Sequence, residues 1–369
     1  MSASRKIWNI GWRLAVCALL MSWILHTIFQ NEGRLAWERQ GHSWSELSRT
    51  QQWTAAWSHG PRELWHTLTL VDAMAMLLSV LFMGLTILLG VVRWRMVLGV
   101  HGIDLSLGRA AEISLVAHFF NSFLLGSTGG DLFKAYYAAR ETHHKKTEAI
   151  VTVAVDRLLG LFAMLVFACA MMLPNLALLL THKRLAALAA FVLLMTLGCG
   201  LLIGLSFWGG VSRLWPRSRA RLRKLPKGEL LEQCLDACRE FGRRRGFILR
   251  TMGLSMLLNL ISVLQYLAVA RGLNLNIPPV ALFVMVPMIT CVSALPITPS
   301  GLGVRENLYV LMLAAPEIQV PATSALSLSL LAYAGNLFWS LIGGIVYATL
   351  KERHHLAEVA QPDGAAGMN

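Results

Sequence analysis

The amino-acid sequence predicts an all-α polytopic membrane protein, and three observations support this fold class. Hydrophobic residues make up 56% of the 369 residues, charged residues only 14%, and the mean hydropathy is +0.56. A soluble domain would carry roughly a quarter charged residues. Several separate apolar stretches also reach the ~20 residues that an α-helix needs to cross the hydrocarbon core of a bilayer. The chain is therefore predicted to form one bundle of membrane helices.

Residues 1–30 are predicted to form an N-terminal membrane helix. An apolar stretch at 14–29 follows the basic residues Arg5, Lys6 and Arg13. A secretory signal peptide is the alternative, but the small-residue cleavage site that it requires does not follow the stretch. The basic flank places the N-terminus in the cytoplasm by the positive-inside rule.

The segment 31–65 is predicted to lie outside the membrane, at the level of the lipid headgroups. Its acidic and basic residues balance, and Trp recurs at positions 37, 44, 53, 57 and 65. Trp is enriched where a bilayer meets water. Interfacial anchoring is the favoured interpretation, and the gating of a substrate is the alternative.

Five further full spans, which make about six in all, are predicted at 66–92, 148–173, 185–207, 247–270 and 322–350. The loop 209–246 is rich in Lys and Arg and is therefore predicted to be cytoplasmic. Its apolar residues recur at helical spacing, which predicts a short amphipathic helix on anionic lipid headgroups. We expect lipid, and not nucleic acid, as the partner of this basic loop. The last span ends in basic residues, so the tail 351–369 is predicted to be cytoplasmic, and its composition indicates disorder.

Two other apolar stretches are predicted to be re-entrant hairpins from opposite sides of the membrane. A full crossing at 110–128 would place the basic segment that follows on the outer side of the membrane, against the positive-inside rule. This stretch is therefore predicted to enter and leave from the cytoplasm. Gly129 and Gly130 belong to the glycine-rich run that could supply its bend. The second stretch, 278–294, is predicted to enter and leave from outside, because it leads into a helix-breaking run that contains Pro296, Pro299, Gly301 and Gly303.

This order of elements suggests an inverted repeat. A span, a cytoplasmic hairpin and a span occupy 66–173, and a span, an external hairpin and a span occupy 247–350. Two repeats of opposite orientation, each with a broken helix, are the architecture of secondary transporters, whose sites lie near the midplane between the repeats.

Charged residues inside or beside these apolar segments are the candidate site residues, because burying an ionisable group in a membrane costs several kcal/mol. An anionic lipid phosphate would suit the bases, and the acids would pair with the bases at rest, hold a cationic headgroup or carry a proton. The alternative is structural ion pairing that joins the two halves. The candidates are Asp131, Lys134, Asp156, Arg157, Arg305 and Glu306.

The same residues carry a family resemblance. Gly129-Gly130-Asp131 with Lys134, then Asp156-Arg157, and above all the run Gly301-Leu302-Gly303-Val304-Arg305-Glu306 resemble the lysylphosphatidylglycerol synthase transmembrane (flippase-like) family. The resemblance extends from about residue 66 to residue 350. Two departures stand out: Leu124-Leu125 replace a proline that many relatives have before the first bend, and Lys134 replaces a common Arg.

The resemblance implies a helical membrane domain with two re-entrant hairpins that translocates lipids between leaflets. We accordingly expect a lipid transporter, of phospholipids or polyprenyl-linked lipids, that is not an enzyme and uses no cofactor or metal. The bifunctional relatives carry an aminoacyl-transferase domain; only a short tail follows the last span here, so aminoacyl-lipid synthesis is not expected. An integral membrane transferase acting on a lipid headgroup, or an accessory subunit of a lipid or glycan synthase, are the alternatives. The family and the basic loops indicate a bacterial inner membrane, and the oligomeric state stays open.

Overall fold

The structure, a computed structural model, describes residues 43–123, 129–142, 145–176, 183–207, 228–295, 301–316 and 318–359, with isolated positions before residue 43 and at 179. Its regular secondary structure is helical throughout, which confirms the all-α fold class. The α-helices in this part of the chain are α1 (Arg49–Thr69), α2 (Ala73–Val100), α3 (Leu107–Phe123), α4 (Gly129–Arg140), α5 (Lys146–Met172), α6 (Lys183–Phe207), α7 (Gly228–Arg243), α8 (Arg245–Gly272), α9 (Pro279–Ser293), α10 (Val304–Leu313) and α11 (Ala322–Val359).

Among the described residues, five helices are long and apolar enough to cross a membrane. They match the five predicted spans that follow the N-terminal helix, and they support a polytopic membrane protein. The predicted first span, 14–29, lies outside the described residues, so its structure is not tested. The membrane-crossing stretches are Ala73–Val100, Lys146–Asn175, Leu185–Phe207, Gly246–Gly272 and Ala322–Thr349.

The limits predicted for the first of these five spans, 66–92, were wrong at both ends. The segment up to Thr69 belongs to α1, and α2 begins only after Asp72, whose carboxylate accepts a hydrogen bond from the Ala75 amide at 3.1 Å. At the other end α2 continues through Arg93 to Val100. Arg93 was interpreted as the end of a span because it is charged, whereas its side chain is accommodated inside the bundle.

Helices α2 and α8 run antiparallel at the centre of the bundle. The Asp72 amide donates to the Gly272 carbonyl at 3.1 Å, and Ser79 bonds Gln265 further along. Still further along, Arg93 bonds Ser255. Successive contacts therefore involve higher residue numbers in α2 and lower residue numbers in α8. The opposite directions agree with the inversion predicted between the two halves of the chain.

The packing of the helices also follows the predicted repeat. If α2 to α5 are matched in order with α8 to α11, each packing contact has a counterpart: α3 on α11 corresponds to α9 on α5, and α4 on α5 corresponds to α10 on α11. Likewise α2 on α5 corresponds to α8 on α11. Two four-helix repeats related by a two-fold axis through the α2–α8 contact would produce this pattern. That the hairpins are re-entrant, and the sides from which they enter the membrane, stay predictions.

Each predicted hairpin is a pair of packed helices whose linking residues, 124–128 and 296–300, lie outside the described part of the chain. Gly129 and Gly130 open α4, so they begin its second arm. In the other hairpin Pro296 and Pro299 fall among the linking residues, and Gly301 and Gly303 follow with positive φ angles of +70° and +83°. Such angles strain any residue other than glycine.

The amphipathic helix predicted in the basic loop is α7. Its Phe241 is fully buried and its ring contacts the rings of Phe207 and Phe247, while a Cβ on Gly242 would lie 2.4 Å from the Phe207 carbonyl oxygen. This part of its apolar face therefore packs on the bundle and does not rest on lipid headgroups as predicted. Contact of its basic residues with anionic lipid stays a prediction.

At the C-terminal end, α11 runs on to Val359, past the predicted end of the span at residue 350. Helix therefore replaces the first part of the tail that was predicted to be disordered, and residues 360–369 lie outside the described ones.

Candidate functional site

Four of the six predicted site residues come together where α4 packs on α5. Asp156 lies at the centre, with 9% of its side chain exposed, and one of its carboxylate oxygens accepts from Lys134 Nζ at 3.2 Å. The other accepts from Arg93 Nε of α2 at 2.8 Å. Three helices therefore contribute one buried carboxylate and two cations, which we name the buried charge cluster (Arg93, Lys134 and Asp156).

Neighbouring residues fix the two cations of this cluster. The Arg93 guanidinium also donates to Ser255 Oγ of α8 at 3.1 Å. Gly160, one turn after Asp156, leaves room for it, because a Cβ there would lie 2.9 Å from the guanidinium nitrogens. Lys134 Nζ lies 4.3 Å from the centroid of the Trp94 ring, where the face of the ring favours a cation.

A second ion pair lies beside the cluster and is more open to the surroundings. Arg157 Nε is 3.2 Å from Asp131 Oδ2, and the two side chains are 46% and 23% exposed. Adjacent residues of a helix point about 100° apart, so Asp156 and Arg157 have different partners. Asn121 of α3 accepts from the Gly130 amide at 2.9 Å and also bonds the Asp131 carboxylate, which fixes the start of α4. We name Asp131 and Arg157 the outer pair.

The buried charge cluster and the outer pair together carry more positive than negative charge. Arg93, Lys134 and Arg157 face Asp131 and Asp156, which leaves a net charge of +1. A phosphate monoanion would neutralise this excess, and charge-assisted hydrogen bonds from guanidinium and ammonium groups are the strong interactions that bind phosphate. The arrangement can therefore bind an anion at the edge of an apolar helix bundle.

The other two predicted site residues, Arg305 and Glu306, lie in the second hairpin and form a separate cluster with α11. The fully buried Glu306 carboxylate accepts from the Arg305 guanidinium, from Ser329 Oγ at 3.2 Å and from the Gly303 amide at 2.6 Å. The guanidinium carbon of Arg305 also lies 4.4 Å from the centroid of the Tyr333 ring. The contacts with Ser329 and Tyr333 hold the start of α10 against α11, and the Gly303 contact caps α10.

Near the two-fold axis the two repeats place different polar groups at matching positions. In the first repeat Arg93 bonds Ser255 of α8 and Asp156 of α5. In the second repeat Gln265 of α8 donates to Ser79 of α2 at 3.2 Å and to the Ala332 carbonyl of α11 at 3.0 Å. At these matching positions the described residues of the first repeat are charged, whereas those of the second repeat are neutral.

A family model described as the lysylphosphatidylglycerol synthase TM region matches residues 51–344, well over half of the chain. The chain belongs to this family. The match covers every helix named above from α2 to α10, most of α1 and most of the membrane-spanning part of α11. No curated protein matches the sequence. Membership in the lysylphosphatidylglycerol synthase TM family makes this a membrane protein related to lipid headgroup synthesis or flipping.

In this family member, sequence reasoning missed Arg93 as a site residue. It was used only as a charged marker of the end of a span, yet it makes the shortest ion pair to Asp156 that the described contacts include. A signal was present, because apolar residues resume after Arg93 and Arg95 and would continue a helix. Ser255 carried no comparable signal, since serine is common in membrane helices.

Proposed function

We propose that this protein translocates a lipid headgroup between membrane leaflets, and that the headgroup phosphate passes along the outer pair and the buried charge cluster. The observation that carries the proposal is the net positive, graded arrangement of these charges, from the half-exposed Arg157 to the buried Arg93 and Lys134. Membership in the lysylphosphatidylglycerol synthase TM family supports a lipid as the substrate. The acyl or prenyl chains stay in the bilayer.

The outer pair is the first binding point in this proposal. Its side chains are the most exposed of the five charged groups, so a phosphate can replace the Asp131 carboxylate on Arg157 at a low desolvation cost. Lys134, one turn along α4 from Asp131, is the next cation on the path. Arg93 stays bound to Asp156 and Ser255. Its charge keeps the electrostatic potential along the path positive.

The hydrogen bonds of the two buried acids, Asp156 and Glu306, favour transport over the alternative of a transferase. Both oxygens of Asp156 already accept hydrogen bonds from cations, and Glu306 accepts from a guanidinium, a hydroxyl and an amide. A carboxylate whose lone pairs are engaged in this way is a weak general base. Neither acid is therefore placed to remove a proton from a lipid hydroxyl.

The proposal includes a location and an orientation. We place the protein in a bacterial cytoplasmic membrane, with both termini in the cytoplasm, because the basic flanks at 5–13 and 351–355 would then lie inside. The hairpins α3–α4 and α9–α10 would enter the membrane from the cytoplasmic and the outer side respectively.

The test is leaflet exchange of labelled lipids in vesicles that contain the purified protein. Anionic, zwitterionic, aminoacylated and polyprenyl-phosphate lipids are compared, with Arg157→Gln and Asp131→Asn as variants of the outer pair. Asp236→Asn is the matched control, because it breaks the Arg239–Asp236 pair on α7, in which the Asp236 side chain is 53% exposed. We expect selective exchange that Arg157→Gln abolishes and Asp236→Asn leaves unchanged.

Absence of exchange for all four lipids, with the protein folded and with ion gradients supplied, would overturn the proposal. Chemical conversion of a lipid in the same vesicles would instead identify a transferase. Exchange that persists unchanged in Arg157→Gln would refute the assigned path and leave lipid translocation standing.

A further inference from the structure

A groove lies between α2 and α8, at the end of the bundle opposite the buried charge cluster. It has a volume of about 550 Å³ and is open on one side, which is within the range of ligand sites in proteins. Its floor is narrow because Gly272 sits against Ala75, where a Cβ on the glycine would lie 2.3 Å from the Ala75 Cβ. Arg93 lies 21 positions along α2 from Asp72, or about 30 Å at 1.5 Å per residue. The groove is therefore separate from the site proposed above.

The wall of the groove is apolar and its rim is polar. Leu78, Phe82 and Leu267 line the wall, whereas Asp72, Arg271 and Asn274 lie at the rim, where α2 begins and α8 ends. Asp72 and Phe82 are ten residues apart in a helix, which corresponds to a depth of about 15 Å. Half of a ~30 Å hydrocarbon core has this depth, so the groove matches one leaflet.

The rim offers one cation and one anion. The exposed Arg271 guanidinium has no hydrogen-bond or ion-pair partner among the described residues. One oxygen of Asp72 accepts from the Ala75 amide at 3.1 Å, and the other remains to accept from a ligand. A headgroup with a phosphate and an ammonium group would match both charges. An anionic headgroup would face the Asp72 carboxylate, and a cationic one would face Arg271.

The opposite end of the same helix pair is covered by protein. There the side chains of Ala237 and Phe241 from α7 pack into a cluster with Val97 and Val100 near the end of α2. In the part of the chain that the structure describes, only α2, α8 and the residues adjoining them line the groove at the Asp72 end. An acyl chain of a membrane lipid is apolar and would fit along this wall, and the charges of the rim match those of a lipid headgroup.

We propose that this groove is a binding site for a zwitterionic diacyl phospholipid with a primary ammonium group, of the phosphatidylethanolamine type. The phosphate binds Arg271 and Asn274, the ammonium group donates to Asp72, and one acyl chain lies along Leu78, Phe82 and Leu267. In the predicted topology the site faces the outer leaflet.

The test is native mass spectrometry of the full-length protein in detergent, titrated separately with phosphatidylethanolamine, phosphatidylcholine and phosphatidylglycerol. We expect phosphatidylethanolamine to bind most tightly and Arg271→Gln to weaken it about tenfold, since a hydrogen bond to a charged group is lost. Asp72→Asn keeps the helix cap and should remove the preference for phosphatidylethanolamine over phosphatidylglycerol. Ala268→Phe, which fills the groove, should weaken the binding of all three lipids.

Arg62→Gln is the matched control, because Arg62 is an exposed arginine of α1 that does not line the groove. A melting temperature close to that of the wild type establishes that each variant is folded. Equal affinity for phosphatidylethanolamine and phosphatidylglycerol in the wild type, or equal effects of Arg271→Gln and Arg62→Gln, would overturn the proposal. Neither outcome depends on leaflet exchange, so failure here leaves the proposed transport function untouched.

Discussion

At the residue scale, the central feature is one carboxylate that is shared by two cations. Asp156 pairs with Arg93 and Lys134 from two other helices, and all three side chains are nearly buried. Buried charges are costly to desolvate, so each depends on its partners to remain ionised within the bundle. The three groups are not equivalent, because the cluster contains two cations and only one anion.

We predict that Asp156→Asn destabilises the protein more than Arg93→Gln does. The first change leaves Arg93 and Lys134 together without a carboxylate, whereas the second leaves the Lys134–Asp156 pair intact. Loss of one partner of a buried pair costs about 3–5 kcal/mol, and we expect Asp156→Asn to fall in this range. Adding Arg93→Gln to Asp156→Asn should recover part of the loss. The free energy of unfolding, measured by titration into a denaturing detergent, checks the order.

Asp236→Asn serves as the control for this series, because it breaks an ion pair with Arg239 in which the Asp236 side chain is 53% exposed. Its effect should stay below about 1 kcal/mol. Equal costs for the two single variants of the cluster, with no recovery in the double variant, would contradict the shared-carboxylate arrangement.

At the element scale, close backbone contacts fix the arms of the hairpins. Gly130 sits against the Ala117 carbonyl of the first arm, and Gly301 sits against the Ser293 carbonyl in the second hairpin. Both glycines begin the arm that carries the charged residues. The position of Lys134 and Arg305 therefore depends on residues that carry no charge.

We predict that Gly130→Ala destabilises the first hairpin and displaces the start of α4. The added Cβ would lie 1.8 Å from the Ala117 carbonyl oxygen, so the backbone must move. Overpacking of this kind costs about 1–3 kcal/mol. Gly90→Ala on α2 is the control, because nothing lies within 4 Å of its Cβ. Melting temperatures check the prediction, and equal values for the two variants would contradict it.

A second prediction at this scale concerns His101, which follows α2 and packs edge-on against Phe241 of α7. Burial lowers the pKa of His101 below its ordinary value of 6.5, and this effect outweighs the attraction of Glu240 and Glu148. The pKa is thus lower in the docked state than in the undocked state, so protonation favours undocking. The docking of α7 should weaken as the pH falls below about 6.5, and then level off below the lowered pKa.

Hydrogen exchange of the α7 amides between pH 7.5 and pH 5, corrected for the intrinsic rate, measures this effect. His101→Gln removes the titrating group and should flatten the profile. A profile with the same slope in His101→Gln would show that other groups control the docking of α7.

At the scale of the whole molecule, the two repeats share a packing pattern but differ in charge. Helices α2 and α8 cross-link the repeats through Ser79, Gln265, Arg93 and Ser255. Because these bonds join the repeats near the two-fold axis, relative movement of the repeats must rearrange them. Alternating exposure of a site in an inverted-repeat transporter arises from such movement.

We predict that a disulfide between Ser79→Cys of α2 and Gly335→Cys of α11 arrests lipid exchange. A Cβ at position 335 would lie 3.2 Å from Ser79 Oγ, which is compatible with a disulfide. The six native cysteines are first replaced, and exchange is measured before and after reduction. Exchange that returns on reduction supports movement between the repeats. The two single-cysteine variants are the controls, and unchanged exchange in the oxidised double variant would exclude this movement.

The sequence by itself determined the fold class, five of the helices long enough to cross a membrane and the family, and it predicted the inverted repeat with which the helix packing agrees. These features follow from local composition, because apolar length specifies a membrane helix whatever its neighbours are. It also singled out Asp131, Lys134, Asp156 and Arg157, which lie together in the structure, since charge in an apolar segment is visible in the sequence; their role in binding stays a prediction.

Only the tertiary structure decided which charges meet. Arg93 lies 63 positions before Asp156, and no local pattern specifies a partner from another helix. The same limitation explains the misjudged limits of α2 and the apolar face of α7, which was assigned to lipid although Phe241 packs on other helices. Hydrophobic periodicity shows that a face is apolar, but lipid and protein are equally apolar partners. The choice between them depends on the packing of the whole bundle.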